Sequence, residues 1–336
     1  MSTDTARFGS ATSMLGERWL MYLAVLLVLL ALPFVTSPFL GSEIVVMGIF
    51  AMGYNIILGY GGELSFGHAA FFGLGAYVTI LVTEYVVANL YLAMVLSVVA
   101  VTVISAIFGY LSLRRRGIYF AMITLALAQM TYTIVFQWSG LTGGSNGLSL
   151  PTTEAPLGPL APLESDLHFY VLVCVLFLVV FIAMTRIVNS PFGRTLKAIR
   201  ESEDRALHLG YDVNNYLLVA FTMSGAISGF AGALYVALFI FISPDLLFWT
   251  MSGEVVLMAI MGGIGTLVGP LVGAAVFILL SDTFIGITEN WQVLFGLVII
   301  FVVLLAPEGI VGLVKERLFD SGRGFSVQDV VDRLRP

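Results

Sequence analysis

The stretch Gly59–Tyr77, GYGGELSFGHAAFFGLGAY, lies in the middle of 43 residues, Ile44 to Val86, whose only charges are Glu63 and Glu84. A continuous helix of that length, rising about 1.5 Å per residue, would reach about 65 Å, roughly twice the thickness of a bilayer's hydrocarbon core. The run therefore has to turn, and its central glycines are the residues that turn at least cost. Two spans joined at a glycine-rich turn is the reading on which the fold rests. It leaves Glu63, Ser65 and His68 at the junction.

A second run, Met251 to Ser281, is also too long for one crossing and carries MGGIGTLVGP (Met261–Pro270) in its middle. The two glycine segments, GGELSFGHAAFFGLGAY and GGIGTLVGPLVGAAVFI, resemble one another faintly, a pattern that a diverged internal repeat would leave, although the spacing does not divide the chain into equal halves. A re-entrant or broken helix at either turn is the alternative to two full spans.

Composition sets the surroundings. Hydrophobic residues make up 59% of the 336 and charged ones 11%, and the mean hydropathy is +1.01. Such a chain has too little polar surface to cover itself in water and reads as a polytopic, all-α integral membrane protein. The opening run WLMYLAVLLVLLALPF follows Arg18 without a small-x-small cleavage site, so it is read as a retained span and not a signal peptide. The single cysteine, Cys174, sits in an apolar run and reads as a small packed residue.

Charge placement then orients the spans. All 15 Lys and Arg fall in four clusters: Arg7 and Arg18, Arg114–Arg116, Arg186–Arg205, and Lys315–Arg335. The positive-inside rule puts these in the cytoplasm, and the acid-only breaks at Glu43, Glu84, Glu154–Asp166, Asp245 and Asp282–Glu289 on the outer face. About ten transmembrane helices result, near 19–36, 44–60, 64–86, 90–111, 117–137, 168–185, 216–242, 253–264, 267–281 and 291–307, with both termini cytoplasmic. The organisation is a cytoplasmic segment 1–18, a transmembrane domain 19–314 with a cytoplasmic loop 186–215 and an outer loop 138–167, and a cytoplasmic tail 315–336. Small residues at helical spacing in SGAISGFAGALY (Ser224–Tyr235) point to close helix packing rather than to a ligand.

The loop RIVNSPFGRTLKAIRESEDRALHLGYDVNN (Arg186–Asn215) reads as a short helix opening after Ser190 and Pro191 and closing near Gly210, with Ile199, Ala206 and Leu207 on one stripe. Four acids and four bases mix between Arg194 and Asp212, where topology alone would ask only for bases. Such a surface suits docking to another protein. The alternative is an ordinary solvated loop.

NIILGYGGELSFGHAAFFGLGAY (Asn55–Tyr77), LRRRGIYFAMITLALAQM (Leu113–Met130), LTGGSNGL (Leu141–Leu148), FGRTLKAIRESEDRALHLGYDV (Phe192–Val213) and VVLMAIMGGIGTLVGPLVGA (Val255–Ala274) occur in that order. On these motifs the chain resembles, along nearly its full length, the permeases of branched-chain amino acid ABC importers, of the Liv-type M subunit kind. The resemblance implies a second related permease, two cytoplasmic ABC ATPases, an extracytoplasmic solute-binding protein and residence in a prokaryotic cell membrane, beside lipid and with no nucleic acid. It also implies a coupling helix that sits in a cleft of the ATPase. Here that loop would offer Arg194, Lys197, Arg200, Glu201, Glu203, Asp204, Ala206 and Gly210, with Glu203, Ala206 and Gly210 matching the family's E-x-x-A-x-x-x-G and Asp204 and Arg205 replacing the usual small residues. No phosphate loop precedes either lysine, Lys197 or Lys315, so ATP and Mg belong to the partner ATPases and the chain itself needs no cofactor.

Four polar residues inside or beside the spans are candidates for a pathway or gate. Glu63 reads as a turn residue in water at the cytoplasmic side, since a carboxylate at mid-bilayer costs a few kcal/mol. Ser65 and His68, in the first turns of the third span, either line a gate or bond between helices. His68 has no second ligand at metal spacing, and no metal site is read. Gln129 is the most deeply placed amide of its span and either lines the path or bonds across helices. At the outer face, Thr142, Ser145 and Asn146 precede the Pro-rich acidic loop and are candidates for binding-protein contact. Arg114–Arg116 read as topology anchors beside anionic lipid, or as an ATPase contact.

Two rivals remain. A urea or short-chain amide permease would keep the machinery and change the cargo. An ion-coupled secondary carrier would be expected to bury paired carboxylates or arginines, of which the spans show almost none.

Overall fold

The computed structural model describes residues 22–23, 25–151, 166–286, 291–305 and 309–313. The two terminal segments, 1–18 and 315–336, and residues 152–165 of the outer loop lie outside these. Helices account for nearly everything described: α1 (Val25–Val35), then α2 (Pro38–Asn55), α3 (His68–Tyr85), α4 (Leu90–Ser112), α5 (Ile118–Gln137), the single turn α6 (Ser139–Thr142), α7 (Asp166–Asn189), α8 (Pro191–Glu201), α9 (Glu203–His208), α10 (Val213–Phe239), α11 (Trp249–Gly262), α12 (Gly269–Ile285) and α13 (Trp291–Leu305). One antiparallel pairing of two-residue strands, β1 (Leu148–Ser149) with β2 (Phe241–Ile242), adds a small non-helical element and ties the LTGGSNGL segment to the end of α10.

Local chemistry moves two boundaries away from those expected. α2 starts at Pro38, ahead of the expected residue 44, because Ser37 Oγ accepts from Leu40 N and Pro38 takes the first helical position. It runs through a π-helical turn, Ile56–Tyr60, before the chain breaks at Gly61. α3 starts at His68, later than the expected 64, so Glu63 and Ser65 belong to the turn and not to the span.

Among the described residues, five helical stretches are long and apolar enough to cross a membrane: Pro38–Tyr60, α4, α5, α7 and α10. α1, α11 and α12 are shorter apolar helices. The Pro38–Tyr60 stretch is 89% buried in its most apolar window, whereas α4, α5 and α7 are 33% buried in theirs, which makes the first an axis of the fold and the others its rim.

α10 is the other axis and packs on α2, α3 and α4. Its small residues make this possible, as the spacing in SGAISGFAGALY predicts: a Cβ at Gly232 would fall 1.8 Å from Phe72 O, and one at Gly75 of α3 would fall 2.1 Å from Gly229 O. Helices that lipid cannot drive together gain contact by bringing backbones this near. The second glycine run forms a hairpin of α11 and α12, and α12 packs on α2. Both glycine-rich turns come together on one side, where a Cβ at Gly59 would lie 2.6 Å from Gly265 N.

Candidate coupling site at the glycine turns

Breaking a helix leaves backbone groups without partners, and in an apolar setting side chains have to supply them. Around the first turn they do. Tyr54 Oη donates to Ser65 O (3.0 Å) and accepts from Ser65 N (3.3 Å), while Phe66 N donates to Thr124 Oγ1 of α5 (3.1 Å). Gly67 N donates to Ser65 Oγ (3.2 Å), and Ala69 N, in the first turn of α3, donates to Ser252 Oγ of α11 (2.8 Å).

His68 is fully buried and is bonded at both ring nitrogens, Nδ1 to Ser65 Oγ (3.0 Å) and Nε2 to Ser224 Oγ of α10 (2.7 Å). Ser224 gives its one hydrogen to Gly53 O (2.7 Å), so it accepts from Nε2. That leaves Nδ1 as acceptor of the Ser65 hydroxyl, and the ring is the neutral Nε2–H tautomer. Tyr54, Phe71 and Phe221 close around it edge to face. Of the two alternatives for Ser65 and His68, the geometry matches bonding between helices: the ring joins α3 to α10, and Ser224 carries the chain of bonds on to α2.

Glu63 is not a turn residue in water. It is 8% exposed, accepts from Gly117 N (3.2 Å) and faces Arg116 Nε at 3.8 Å. The physical reason is the folding of the 61–67 turn beneath the start of α5. Arg116 is shared: its Nε donates to Glu203 Oε1 (3.1 Å), Nη1 to Leu113 O (2.9 Å) and Nη2 to Asn214 Oδ1 (2.6 Å). Burial pushes the Glu63 carboxyl above its ordinary value, opposed by the Gly117 N–H and by Arg116 and reinforced by Glu203. Burial prevails because the one arginine serves two carboxylates. Sequence reasoning took Arg116 for an anchor like its neighbours; the separation of 87 residues between Arg116 and Glu203 leaves no local pattern to reveal the pair.

The expected single cytoplasmic helix is two. Ser202 breaks it, extended at φ −164°, and caps α9 by accepting from Arg205 N (3.3 Å). Leu196, Ile199 and Ala206 are buried, whereas Leu207, from the same predicted stripe, is exposed with Leu209 and Tyr211, because the break re-aims α9. Gly210, at φ +86°, ends α9 with two bonds, Gly210 N to Leu207 O (2.9 Å) and Tyr211 N to Ala206 O (3.2 Å), a closure that favours glycine. Arg194, Lys197, Glu201 and Asp204 are exposed, and Lys197 lies over the Tyr60 ring at 5.3 Å. Arg200 is exposed too, but its Nη1 donates to Gly59 O.

The other candidates lie apart from this site. Gln129 is partly exposed on the side of α5, in an open cavity of about 510 Å³ with Met122, Leu125, Ala126 and Trp249. Thr142 is buried and donates to Trp138 O (2.8 Å), so it holds the α5–α6 junction, while Ser145 and Asn146 are exposed. The sequence reading also missed a convergence of acids: Glu43, Glu254 and Asp282, from α2, α11 and α12, line one cavity of about 330 Å³ with Tyr235 and Ser281. The spans thus hold more grouped carboxylate than their sequence suggests, because residues far apart in the chain meet at one end of the fold. Among the described residues these acids do not form a metal centre.

Comparison with known proteins fits this architecture. The family described as the permease component of branched-chain amino acid transport systems matches residues 39–303. The LivM permease protein of the high-affinity branched-chain amino acid transport system of Salmonella typhimurium is 24% identical, with 89% of this chain and 76% of the relative covered. The probable LivM protein of Methanocaldococcus jannaschii is 24% identical, covering 86% and 93%. The LivH permease of Escherichia coli is 25% identical, covering 79% and 90%. No solved structure matches. With most of its length inside the family's match and its apolar helices arranged as a multi-pass bundle, the chain belongs to the permease components of branched-chain amino acid transport systems.

Proposed function

We propose that this chain is the translocating subunit of an ATP-driven importer and passes branched-chain amino acids, delivered by an extracytoplasmic binding protein, across the inner membrane. It works beside a second related permease, with two ATPases below, and crosses the membrane ten times with both ends in the cytoplasm. The observation that carries this is the α8–α9 loop. Its outer side is exposed, mixed in charge and carries Leu207, Leu209 and Tyr211, while Arg200 bonds to the first glycine-rich turn. Exposed leucines amid charge mark a surface with a partner.

The same reading assigns the open side of α5 to the path. Met122, Leu125 and Trp249 supply an apolar wall and Gln129 one amide, enough to guide a small amphipathic solute without holding it, because recognition belongs to the binding protein. Closure of the ATPases pulls on α8 and α9, and the hairpins rock against α10. Arg116 and the Gly117 N–H hold the Glu63 carboxyl and so brace the turn while it moves.

Native mass spectrometry of the tagged protein, isolated in mild detergent from its own host, tests the reading. Co-isolation with a second permease and two ATPase chains is expected; a stable assembly lacking any ATPase would overturn it in favour of a self-sufficient carrier. Gly210→Trp, which places a bulky side chain at φ +86°, is expected to remain in the membrane and to lose the ATPases.

A further inference from the structure

Arg200 stands on α8 and is an exposed residue, yet its guanidinium reaches the bundle. Nη1 donates to Gly59 O in the π-helical turn. The stem crosses Gly62 so closely that a Cβ there would meet Arg200 Cγ at 2.9 Å, and a Cβ at Gly265 would meet Nη1 at 3.0 Å. The two turns are in addition clamped to each other: Asn55 Nδ2 donates to Thr266 O (2.8 Å), and Gly265 N donates to Asn55 Oδ1 (3.0 Å). One side chain therefore joins α8 to a body made of both turns. An arginine present only for topology would extend into water, where its charge is best solvated.

We propose that Arg200 is a positioning residue of the transport cycle, the pin through which movement of α8 reaches both glycine-rich turns together. The inference rests on the importer reading and adds to it the route by which the loop acts. A charged donor on a backbone carbonyl keeps its bond while the carbonyl moves, and glycine at 62 and 265 lets the arginine sit against both turns without a side chain between. The Asn55 clamp passes the displacement from the first turn to the second. Lys197, 5.3 Å from the Tyr60 ring centroid, is a second and looser contact with the same turn.

Two measurements test this with Arg200→Gln and Arg200→Lys. In the isolated chain in detergent, hydrogen exchange is read by mass spectrometry over residues 57–66 and 261–268. Arg200→Gln is expected to speed exchange in both segments and Arg200→Lys to restore part of the protection; unchanged exchange in either segment overturns the pin. In vesicles containing the complete transporter, uptake and ATP hydrolysis are measured together. Arg200→Gln is expected to lower the number of molecules moved per ATP about tenfold, with partial rescue in Arg200→Lys. A ratio that stays constant, whether both rates fall in proportion or neither falls, shows a merely structural residue and overturns the proposal. Should the complex contain no ATPase, the importer reading fails while the exchange experiment still decides the contact; should Arg200→Gln not insert, Arg200→Lys carries both tests.

Discussion

Replacing Gly75 by alanine should separate two helices that the fold holds at backbone contact. A Cβ at this position would fall 2.1 Å from Gly229 O and 2.7 Å from both Gly229 C and Cα. Real Cβ contacts essentially never lie under 3.0 Å, so α3 and α10 would have to part by close to an ångström at this level. The obstacle is backbone and cannot rotate aside. The same seam includes Gly232 against Phe72 O at 1.8 Å, and Gly225 of α10 meets Ser105 Cβ of α4 at 2.3 Å, so a displacement of α10 strains its other contacts as well. Overpacking of this kind costs about 3 kcal/mol at its upper range, and alanine's better helix propensity offsets about 1 kcal/mol. The net loss is about 2 kcal/mol, on the order of 30-fold in the unfolding equilibrium. Denaturation of the detergent-solubilised chain by increasing SDS, followed by far-UV circular dichroism, reads it. Gly253→Ala is the control, since nothing lies within 4 Å of a Cβ there, and it should be neutral or gain up to about 1 kcal/mol. If Gly75→Ala unfolds together with Gly253→Ala, the close approach of α3 to α10 is wrong.

Two further outcomes follow from the site. His68→Ala removes a fully buried ring bonded to Ser65 and Ser224, and the same denaturation should show a loss of about 3 kcal/mol; His68→Gln, which can still donate to Ser224, should recover about 1 kcal/mol, and equal losses would refute the hydrogen-bonded role. Glu63 has its carboxyl raised in the fold above the ordinary 4.5, so the native chain binds more protons than the unfolded one between 4.5 and the raised value. Stability contributed by this group is full below 4.5 and falls as pH rises through that window. Glu63→Gln should remove this part of the slope, measured as the unfolding midpoint between pH 4 and 8; a variant with the wild-type slope would place the titration elsewhere.

Much of this was legible because membrane crossing imposes length. The run Ile44–Val86 could not be one helix, and the turn falls at its glycines as that argument requires. The termini of α4, α5 and α10 lie within three residues of those read from charge and hydropathy. The small residues of α10 announced close packing before any neighbour was known. The path of Arg116 was not legible. Its partners Glu63, Glu203 and Asn214 come from three separate segments, and single-chain patterns report neighbours at i+3 or i+4, not partners across the fold. The same holds for Glu43, Glu254 and Asp282, each of which reads alone as an ordinary acid near a helix end.

The polar residues of the motif GYGGELSFGH are explained by the break itself. The last backbone bond of the π-helical end of α2 is Glu63 N to Ile57 O (3.1 Å), and from Leu64 to Gly67 the backbone has no ladder of its own before α3 begins. Ser65, Tyr54, Thr124 and Ser252 supply those bonds, and Asn55 performs the same service for the second turn. His68 extends the set across α10 because a ring with one donor and one acceptor can join two hydroxyls in series. A helix pair whose break is braced by such bonds can move as a rigid piece, whereas one joined by an unbraced loop would admit water or collapse. The sequence cost of that stiffness is a cluster of polar side chains in an apolar run, joined by the Glu63–Arg116 pair where the turn meets the α8–α9 loop.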